Sequence, residues 1–592
     1  MNILLTAINA KYIHSNLAVY SLRACAGEYR DAVELAEYTI NNQKDYILEE
    51  LYKRKPDVLC FSCYIWNIDY VTDIAREYKK LCPSVPIWVG GPEVSYEVEA
   101  FLRENPYIDG VMIGEGEDTF RELCGYYAHK RKLSDIAGIA FRKNSTGNST
   151  SVNNIGGNKA GEIVFTSPRP IKNMSEIPFC YDTLDDFSNR IIYYESSRGC
   201  PFSCSYCLSS VDKTLRFRDT EIVKRELKFF IDQKVPQIKF VDRTFNCNHA
   251  HAMELWRFIK ANDNGVTNFH FEISADLLNQ EELELISDMR PGLIQLEIGV
   301  QSTNEVTIKE IHRTMKLERL KEVVRLIQSG NNIHEHLDLI AGLPYEDYDS
   351  FGRSFDEIYE LKPNQLQLGF LKVLKGSYMF EHAAEYGIVY HDKPPYEVMS
   401  TKWLSFDDVI KIKRVEEMLE VYYNSGQFEI TMKLMECIFD SAFEFFQELG
   451  DFYEANGYFG MSHSRIRRCE ILLEFLALYL HGCDSDDMAS VGLSGNAGDR
   501  DNTDFDENAQ IYSMIQESLI FDLYYRENCK SRPRWATDIG KFKHMTHAYC
   551  KNGKLSHVEP FHYIFPDKHT RKLDELPKYH KEPVWALFHY DM

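Results

Sequence analysis

The sequence predicts an α/β protein in three parts: a doubly wound parallel domain, a partial (β/α)6 barrel and a mostly α-helical C-terminal domain. Strand-helix alternation over 1–137 and again over 191–373 carries the first two parts. Long aromatic and amphipathic runs after Tyr390 carry the third. The 592 residues are too many for one core, because single domains rarely pass about 250 residues.

In the first part the strand-like runs are "NILLTAI", "AVELAEYTI", "DVLCFSC", "PIWVGG" and "DGVMIGEGE". Between them "IDYVTDIAREYKKL" is apolar at Ile68, Val71, Ile74, Ala75 and Tyr78, the spacing of one helix face. A Rossmann-like sheet of this kind takes ligands beyond the carboxyl ends of its strands. "IAGIAFRKN" and "GEIVFTS" then predict a hairpin around a Gly, Ser and Asn-rich loop, Asn144 to Gly161, and a linker continues to residue 190.

From Ile191 six strands are expected: "IIYYESS", "QIKFVD", "NFHFEIS", "LIQLEIGVQ", "HEHLDLIAG" and "QLQLGFLKV", separated by amphipathic segments such as "LERLKEVVRLIQSG". Six repeats give a TIM-like barrel with an open side, its chemistry at the strands' C-terminal ends. The domains are thus read as 1–137, a hairpin and linker at 138–190, a barrel at 191–380 and a helical domain at 395–592. Gly482 to Gln510, rich in Gly and Asp, is expected to be disordered.

Composition bounds the partners. With 44% hydrophobic and 27% charged residues the chain is globular, and its formal charge of -23 excludes broad binding to nucleic acid or an anionic membrane. The N-terminal "MNILLTAINAKYIHSN" has no basic leader, and its apolar run is too short for a signal peptide or a span. A cytoplasmic protein is expected. Most of the 15 cysteines, including Cys25, Cys60, Cys63, Cys82 and Cys124, are dispersed in apolar segments and read as small buried hydrophobes.

Cys200, Cys204 and Cys207 are different: "SRGCPFSCSYC" spaces them C-x3-C-x2-C on a loop that leaves a strand. Zinc prefers four closed ligands in paired spacings, and no fourth Cys or His follows nearby. Three thiolates on one tight loop suit a cubane iron-sulfur cluster with one iron left open to a chelating ligand. Gly199 permits the tight backbone, and Pro201 with Phe202 shapes the loop.

Further along, each barrel strand ends in polar groups. "KFVDRTFN" offers Asp242 and Thr244, "FHFEISADLL" offers Glu272, Ser274 and Asp276, and "LEIGVQS" offers Glu297, Gly299 and Gln301. "KEIHRTM" adds Arg313 and "HLDLIAGLP" adds Asp338. With these residues and Tyr206 beside the last thiol, the segment resembles the radical S-adenosylmethionine (SAM) superfamily. The resemblance implies a 4Fe-4S cluster on Cys200, Cys204 and Cys207, with SAM chelating the open iron and contacted by Tyr206, Asp242, Thr244, Ser274, Glu297, Gln301 and Asp338. It also implies Glu272 on the ribose hydroxyls and Arg313 on the SAM carboxylate, a task that suits a two-donor fork.

Glycines mark the first domain. "VGGPEVS" carries Gly90, Gly91, Pro92 and Glu93, and "IGEGEDTF" carries Gly114, Glu115, Gly116 and Glu117, both after strands, where glycine lets a ligand approach the backbone. A dinucleotide fingerprint belongs after the first strand, where "AINAKYIHSN" has no glycine. With Ser62 and Trp66 of "SCYIWN", these segments resemble the cobalamin-binding domain that precedes the barrel in one branch of radical SAM enzymes. The resemblance implies that Ser62, Trp66, Gly90, Gly91, Pro92, Glu93, Gly114, Glu115 and Gly116 line the corrin. Free-standing cobalamin domains supply a cobalt ligand from Asp-x-His-x-x-Gly, and "NAKYIHSN" departs from that spacing, although it places His14 near the expected tail.

The resemblance spans residues 1–375 and implies a cobalamin-dependent radical SAM methyltransferase acting on an unactivated carbon of a small molecule or metabolite. A flavodoxin or ferredoxin would supply electrons. Rearrangement or cyclisation by the same cofactors, or a non-catalytic cobalamin or redox sensor, are the alternatives. Sulfur transfer would need a second cluster, and the sequence holds no second cysteine triplet. In the helical tail, "AFEFFQELGDFYEANGYFG" reads as core, and Arg465, Arg467 and Arg468 of "HSRIRRC" form either an anion site or a solvated face.

Overall fold

The structure, a computed structural model, describes residues 1–143, 161–187, 189–481 and 507–527. Beyond these it describes 529, 532–536, 539–542, 556–566, 570, 572–573 and 575–590. Its first sheet contains β1 (Ile3–Asn9), β2 (Val33–Thr39), β3 (Val58–Ser62), β4 (Ile87–Gly90), β5 (Gly110–Met112), β6 (Ile139–Arg142) and β7 (Ile163–Phe165), in the order β2-β1-β3-β4-β5-β6-β7. The first five strands are parallel.

Every residue of β1 and of β3 is buried. Apolar strands without alternation belong in a sheet covered on both faces, and helices provide the cover. Helix Ile68–Leu81 buries the five residues of the predicted stripe. The order reverses between β1 and β3, so the loops after these strands diverge and open a crevice at the carboxyl edge. β6 and β7 are antiparallel and extend this same sheet, so the expected hairpin completes the first layer. Its connecting loop, residues 144–160, lies outside the described residues.

The second sheet comprises β8 (Ile192–Tyr194), β11 (Gln237–Phe240), β12 (Asn268–Ile273), β13 (Ile294–Gln301), β14 (His334–Ala341) and β15 (Gln365–Phe370), adjacent in chain order. The pairs from β8 to β14 are parallel. β13 alternates buried and half-buried residues along its whole length, as expected where one face packs on helices and the other lines a lumen. Between β8 and β11, β9 (Ser197–Arg198) and β10 (Arg216–Phe217) form a small antiparallel ribbon that closes the three-thiol loop at its base. After β15, β16 (Val389–Tyr390) and β17 (Val398–Ser400) pair as a further small ribbon.

The compact units are Met1–Glu346 with Gly369–Trp403, and Asp347–Leu368 with Leu404–Met592. The second unit thus takes in helix Tyr348–Tyr359, which the sequence places in the barrel. There Phe351 and Phe355 meet Phe443, and Phe355 meets Phe446, so the aromatic helix is core as expected. Asp522, buried, caps helix Glu429–Ile438 by accepting from the Ile430 and Thr431 amides at 3.0 and 2.9 Å.

Two features of this unit differ from expectation. Residues 507–510 form the first turn of helix Glu507–Arg526, while the rest of the expected disordered stretch, up to 506, lies outside the described residues. β18 (Ser556–Tyr563) and β19 (Tyr579–His589) pair antiparallel in a domain that otherwise reads as helical. No helix among the described residues is long and apolar enough to cross a membrane.

Candidate active site

The three thiols sit on residues 199–215, between the strands of the β9/β10 ribbon. Gly199 has φ +91°, and a Cβ there would come within 2.6 Å of the Thr214 carbonyl oxygen, so only glycine allows the crossing. The Cys200 amide donates to Asp212 O at 3.3 Å. Further out, the Ser205 amide donates to Ile311 O at 2.9 Å, and Ser205 O accepts from the Met379 amide at 2.9 Å. The loop is held at base and tip.

Cys200 and Cys204 are buried and Cys207 half-buried. Burial pushes the Cys200 thiol up, and the charges of Cys207 and Cys204 add to the rise, so the three would repel one another as thiolates. Among the described residues no three His, Cys, Asp or Glu side chains converge on a single ion. A cubane has no such convergence either, because each thiolate binds its own iron, and the cluster's positive irons offset the repulsion. The loop therefore fits a cubane better than a zinc ion. Thr244 Oγ1 lies 3.9 Å from Cys200 Sγ.

Arg313 reaches over the loop: its Nη1 donates to the Tyr206 hydroxyl at 3.1 Å and lies 3.8 Å from Cys204 Sγ, while Nη2 donates to the Gly299 carbonyl. Its Nε is buried with no partner among the described residues, which leaves a donor for an anionic group. Gln301 ends β13 at φ +75°, an uncommon conformation for a side chain larger than glycine. Ser274 Oγ donates to Asp276 at 2.7 Å, and the Ser274 amide donates to Asn246 at 3.0 Å.

Strand register brings the lumen carboxylates together. Glu272 stands beside Glu297, Glu297 beside His336, and Gly299 beside Asp338. Glu297 is paired with Lys239 and with His270 Nε2, each at 2.9 Å. Burial alone would raise its pKa, but the His270 hydrogen bond and the Lys239 charge hold it at about 2. Asp338 goes the other way: burial, then the Glu297 and Glu272 charges, push its carboxyl well above the usual range. His336 lies 3.1 Å from it, and burial lowers that imidazole to about 4. Glu272, raised by burial, faces the exposed Arg243 at 4.0 Å.

At the edge of the first sheet, Tyr64 and Trp66 stack with ring centroids 4.4 Å apart and planes 6° from parallel. Trp66 is 42% exposed, and its Nε1 donates to Ile8 O at 3.1 Å. Ser62 is buried and accepts from Asn16 Nδ2 at 3.3 Å. Gly91 has φ +122° and packs so closely that a Cβ would lie 2.4 Å from the Cys63 carbonyl oxygen. Gly114, at φ +74°, faces open space, and Gly116 packs on Leu22. Pro92 opens a single helical turn that includes Glu93, whose carboxylate accepts from the Tyr396 hydroxyl. An exposed indole stacked on a half-buried tyrosine suits a large flat ligand.

Three of the predicted contact residues have partners within the fold. Asp242 is 1% exposed and accepts from the Ser196 amide at 2.9 Å, the Ser196 hydroxyl at 2.7 Å and the Ser197 hydroxyl, so it fastens the strand entering the thiol loop. Burial raises its pKa to about 7. Glu297 is committed to Lys239 and His270. Glu115 is committed to Arg216, Arg198 and the Lys172 amide. His14 shares a 2.7 Å hydrogen bond through Nδ1 with Tyr193 of β8. Sequence reasoning missed the pairing of Arg198 with Glu117, and it missed Tyr64, Arg243 and Tyr193. "SRGC" and "GEGE" did contain the first two, but nothing in the spacing pairs residues 81 positions apart.

Family profiles match this geometry: "B12 binding domain" over residues 3–124, "Radical SAM superfamily" over 194–358, and "Protein of unknown function (DUF4080)" over 384–583. The chain thus carries a B12-binding domain followed by a radical SAM domain. It is homologous to cobalamin-dependent radical SAM methyltransferases. One is the "Cobalamin-dependent radical SAM methyltransferase TokK" of Streptomyces tokunonensis, 27% identical over 360 residues, which cover 57% of this chain and 49% of the relative. The chain spans about half the length of the curated relatives it matches.

Among solved structures, the cobalamin-dependent SAM radical enzyme OxsB, with aqua-cobalamin and SAM bound, aligns at TM-score 0.54 and 15% identity, over 93% of this chain and 81% of that one. The radical SAM methyltransferase TsrM of Kitasatospora setae, with cobalamin and a [4Fe-4S] cluster bound, aligns at TM-score 0.53 and 17% identity, over 67% of this chain and 79% of that one. At such identities the likeness is one of fold.

Proposed function

We propose that this chain is a cobalamin-dependent radical SAM enzyme that methylates an unactivated carbon of a small molecule. The observation that carries the proposal is the juxtaposition of the two sites: Glu115 and Glu117, on the glycine turn of the first sheet, bind Arg198, two residues before the first thiol. When bound, the cluster with SAM supplies a deoxyadenosyl radical, and cobalamin carries the methyl group.

The chain's own residues bind and orient. Cys200, Cys204 and Cys207 would hold the cluster through their thiolates. Arg313 holds the SAM carboxylate through its spare donor, supported by Tyr206 and the Gly299 carbonyl. Glu272 takes the ribose hydroxyls, with Thr244, Ser274, Gln301 and Asp338 around the same ligand. Tyr64 and Trp66 give the corrin a flat support, and Ser62, Gly90, Gly91, Pro92, Glu93, Gly114 and Gly116 shape the rim. Asp242 keeps the thiol loop's first strand in place.

The boundaries we assign are 1–137 for cobalamin, 138–190 for hairpin and linker, 191–380 for the barrel and 395–592 for the helical domain. A flavodoxin or ferredoxin in the cytoplasm would be the reductant. Anaerobic protein reconstituted with iron, sulfide and hydroxocobalamin, given SAM and a strong reductant, should form deoxyadenosine and methylcobalamin. No product above a Cys204→Ala control would overturn the reading and favour a sensor.

A further inference from the structure

Two arginines stand face to face where the thiol loop begins and ends. Arg198 and Arg216 are direct cross-strand partners in the β9/β10 ribbon, a pairing that like charges oppose. Glu195, three residues before Arg198, offsets part of this by accepting from its Nε and Nη2 at 3.0 and 2.7 Å, and further opposing charge comes from another part of the fold. Glu115 Oε1 lies 2.6 Å from Arg216 Nη1 and 3.4 Å from Arg198 Nη1, so one carboxylate bridges both cations. Glu117 Oε1 accepts from Arg198 Nη2 at 2.8 Å.

Both carboxylates belong to the turn Gly114–Glu117 at the carboxyl edge of the first sheet. Within the second sheet's own segment, Glu195 pairs with Arg198 at 2.7 Å and the more exposed Asp212 with Arg216 at 3.0 Å. Neither of these touches both arginines. Glu115 also accepts from the Lys172 amide at 3.0 Å. Burial would raise its pKa, but that amide and the two arginines hold it below the ordinary value. The ribbon base in turn leads straight into the thiols, because Gly199 packs on Thr214 and the Cys200 amide on Asp212 O.

We propose that the turn Gly114–Glu117 is a latch on the thiol loop: Glu115 and Glu117 close its base by pairing with Arg198 and Arg216, so a ligand seated at the turn sets the loop's geometry. These four are positioning residues, acting through the backbone of residues 199–215. The latch rests on the cobalamin reading for the identity of the ligand at the turn, and on nothing else in it. The glycine makes the arrangement adjustable: Gly114 is at φ +74° with no atom within 4 Å of where a Cβ would stand, so the turn has room to shift when a ligand arrives.

The test is amide hydrogen exchange on the full chain, first without cofactors. Glu115→Gln keeps the shape of the bridge and removes its charge. It should speed exchange across residues 197–217 about tenfold while β3 and β12 exchange as in the wild type, which shows the fold intact. Arg198→Gln should do the same, and Arg198→Lys should restore part of the protection. Hydroxocobalamin should then slow the wild-type loop about threefold and leave Glu115→Gln unchanged.

Exchange within about twofold of wild type in both Glu115→Gln and Arg198→Gln would overturn the latch. So would cobalamin uptake, seen by its absorbance, with no change in the wild-type loop. Should Glu115→Gln fail to fold, Arg198→Gln against Arg198→Lys carries the same comparison. A wild type that takes up no cobalamin counts against the proposed function instead, and the cofactor-free exchange then decides the latch alone.

Discussion

Strands of the first and second sheets use their faces differently. β1 and β3 are buried throughout, whereas β13 turns every second side chain towards a lumen that holds Glu297 near Lys239, His270 and His336. A sheet covered on both sides has no free face, so any chemistry moves to the loops at its edge, where glycine supplies the shape. An open barrel keeps one face free, and its strands carry the polar groups themselves. The first site is therefore built from backbone and the second from side chains.

Substitutions sharpen that contrast. The largest effect belongs to the side-chain site: on the proposed function, Cys204→Ala should cut reductive deoxyadenosine formation at least about a thousandfold and lower the bound iron, because the cluster would lose one of three ligands. In the backbone-built site, Gly91→Ala forces a Cβ to 2.4 Å from the Cys63 carbonyl at φ +122°. That should cost about 2–4 kcal/mol in denaturant unfolding and release cobalamin. Gly114→Ala, with open space around it, should cost only about 1 kcal/mol. Equal costs at the two glycines would break the distinction between a packed turn and an open one.

Glu297 and Asp242 make a second pair, with opposite signs. The pKa of Glu297 falls from 4.5 to about 2 on folding, so it stabilises the protein above the ordinary carboxylate range, and that stability is lost as pH falls towards about 2. Glu297→Gln should cost about 3 kcal/mol at pH 7 and flatten the acid limb of the stability curve. Asp242 rises from 3.8 to about 7 on folding, so its contribution is present below the unfolded value and fades as pH climbs through about 7. Asp242→Asn should cost about 1 kcal/mol at pH 5, with the gap to wild type shrinking as pH rises to 8. The same slope for both variants in unfolding curves would contradict the assignment.

The smallest effect is expected far from either site. Arg467 pairs with Glu470 and Glu474 and lies over the Tyr458 ring, so it has no need of an anionic ligand. Arg467→Gln should change stability by less than about 1 kcal/mol and leave SAM turnover unaltered.

Much of this is legible in the sequence. The stripe of "IDYVTDIAREYKKL" set the ends of its helix, the six barrel strands occur where alternation placed them, and the spacing put three thiols on one loop. Periodicity reports which face is apolar, and spacing reports ligands that are local in the chain. Neither reports partnerships across distant segments. Glu115 and Glu297 look like any other carboxylate at a strand end, and only folding shows which arginine, lysine or histidine each one meets. Asp242 has the residue type of a lumen ligand but points at Ser196 and Ser197. β18 was hidden for a different reason: Pro560 lies inside it, and proline normally argues against a paired strand.

The stacked rings of Tyr64 and Trp66 carry one more implication. Trp66 is tied by its indole nitrogen to Ile8 and stacks on the half-buried Tyr64, so the exposed upper ring is held on two sides before any guest arrives. A planar molecule that settles there freezes few rotamers, and the strength of its hold depends on the hidden ring as well as the visible one. Removing the tyrosine beneath would loosen the tryptophan above, and the guest would be lost without any contact of its own having been cut away.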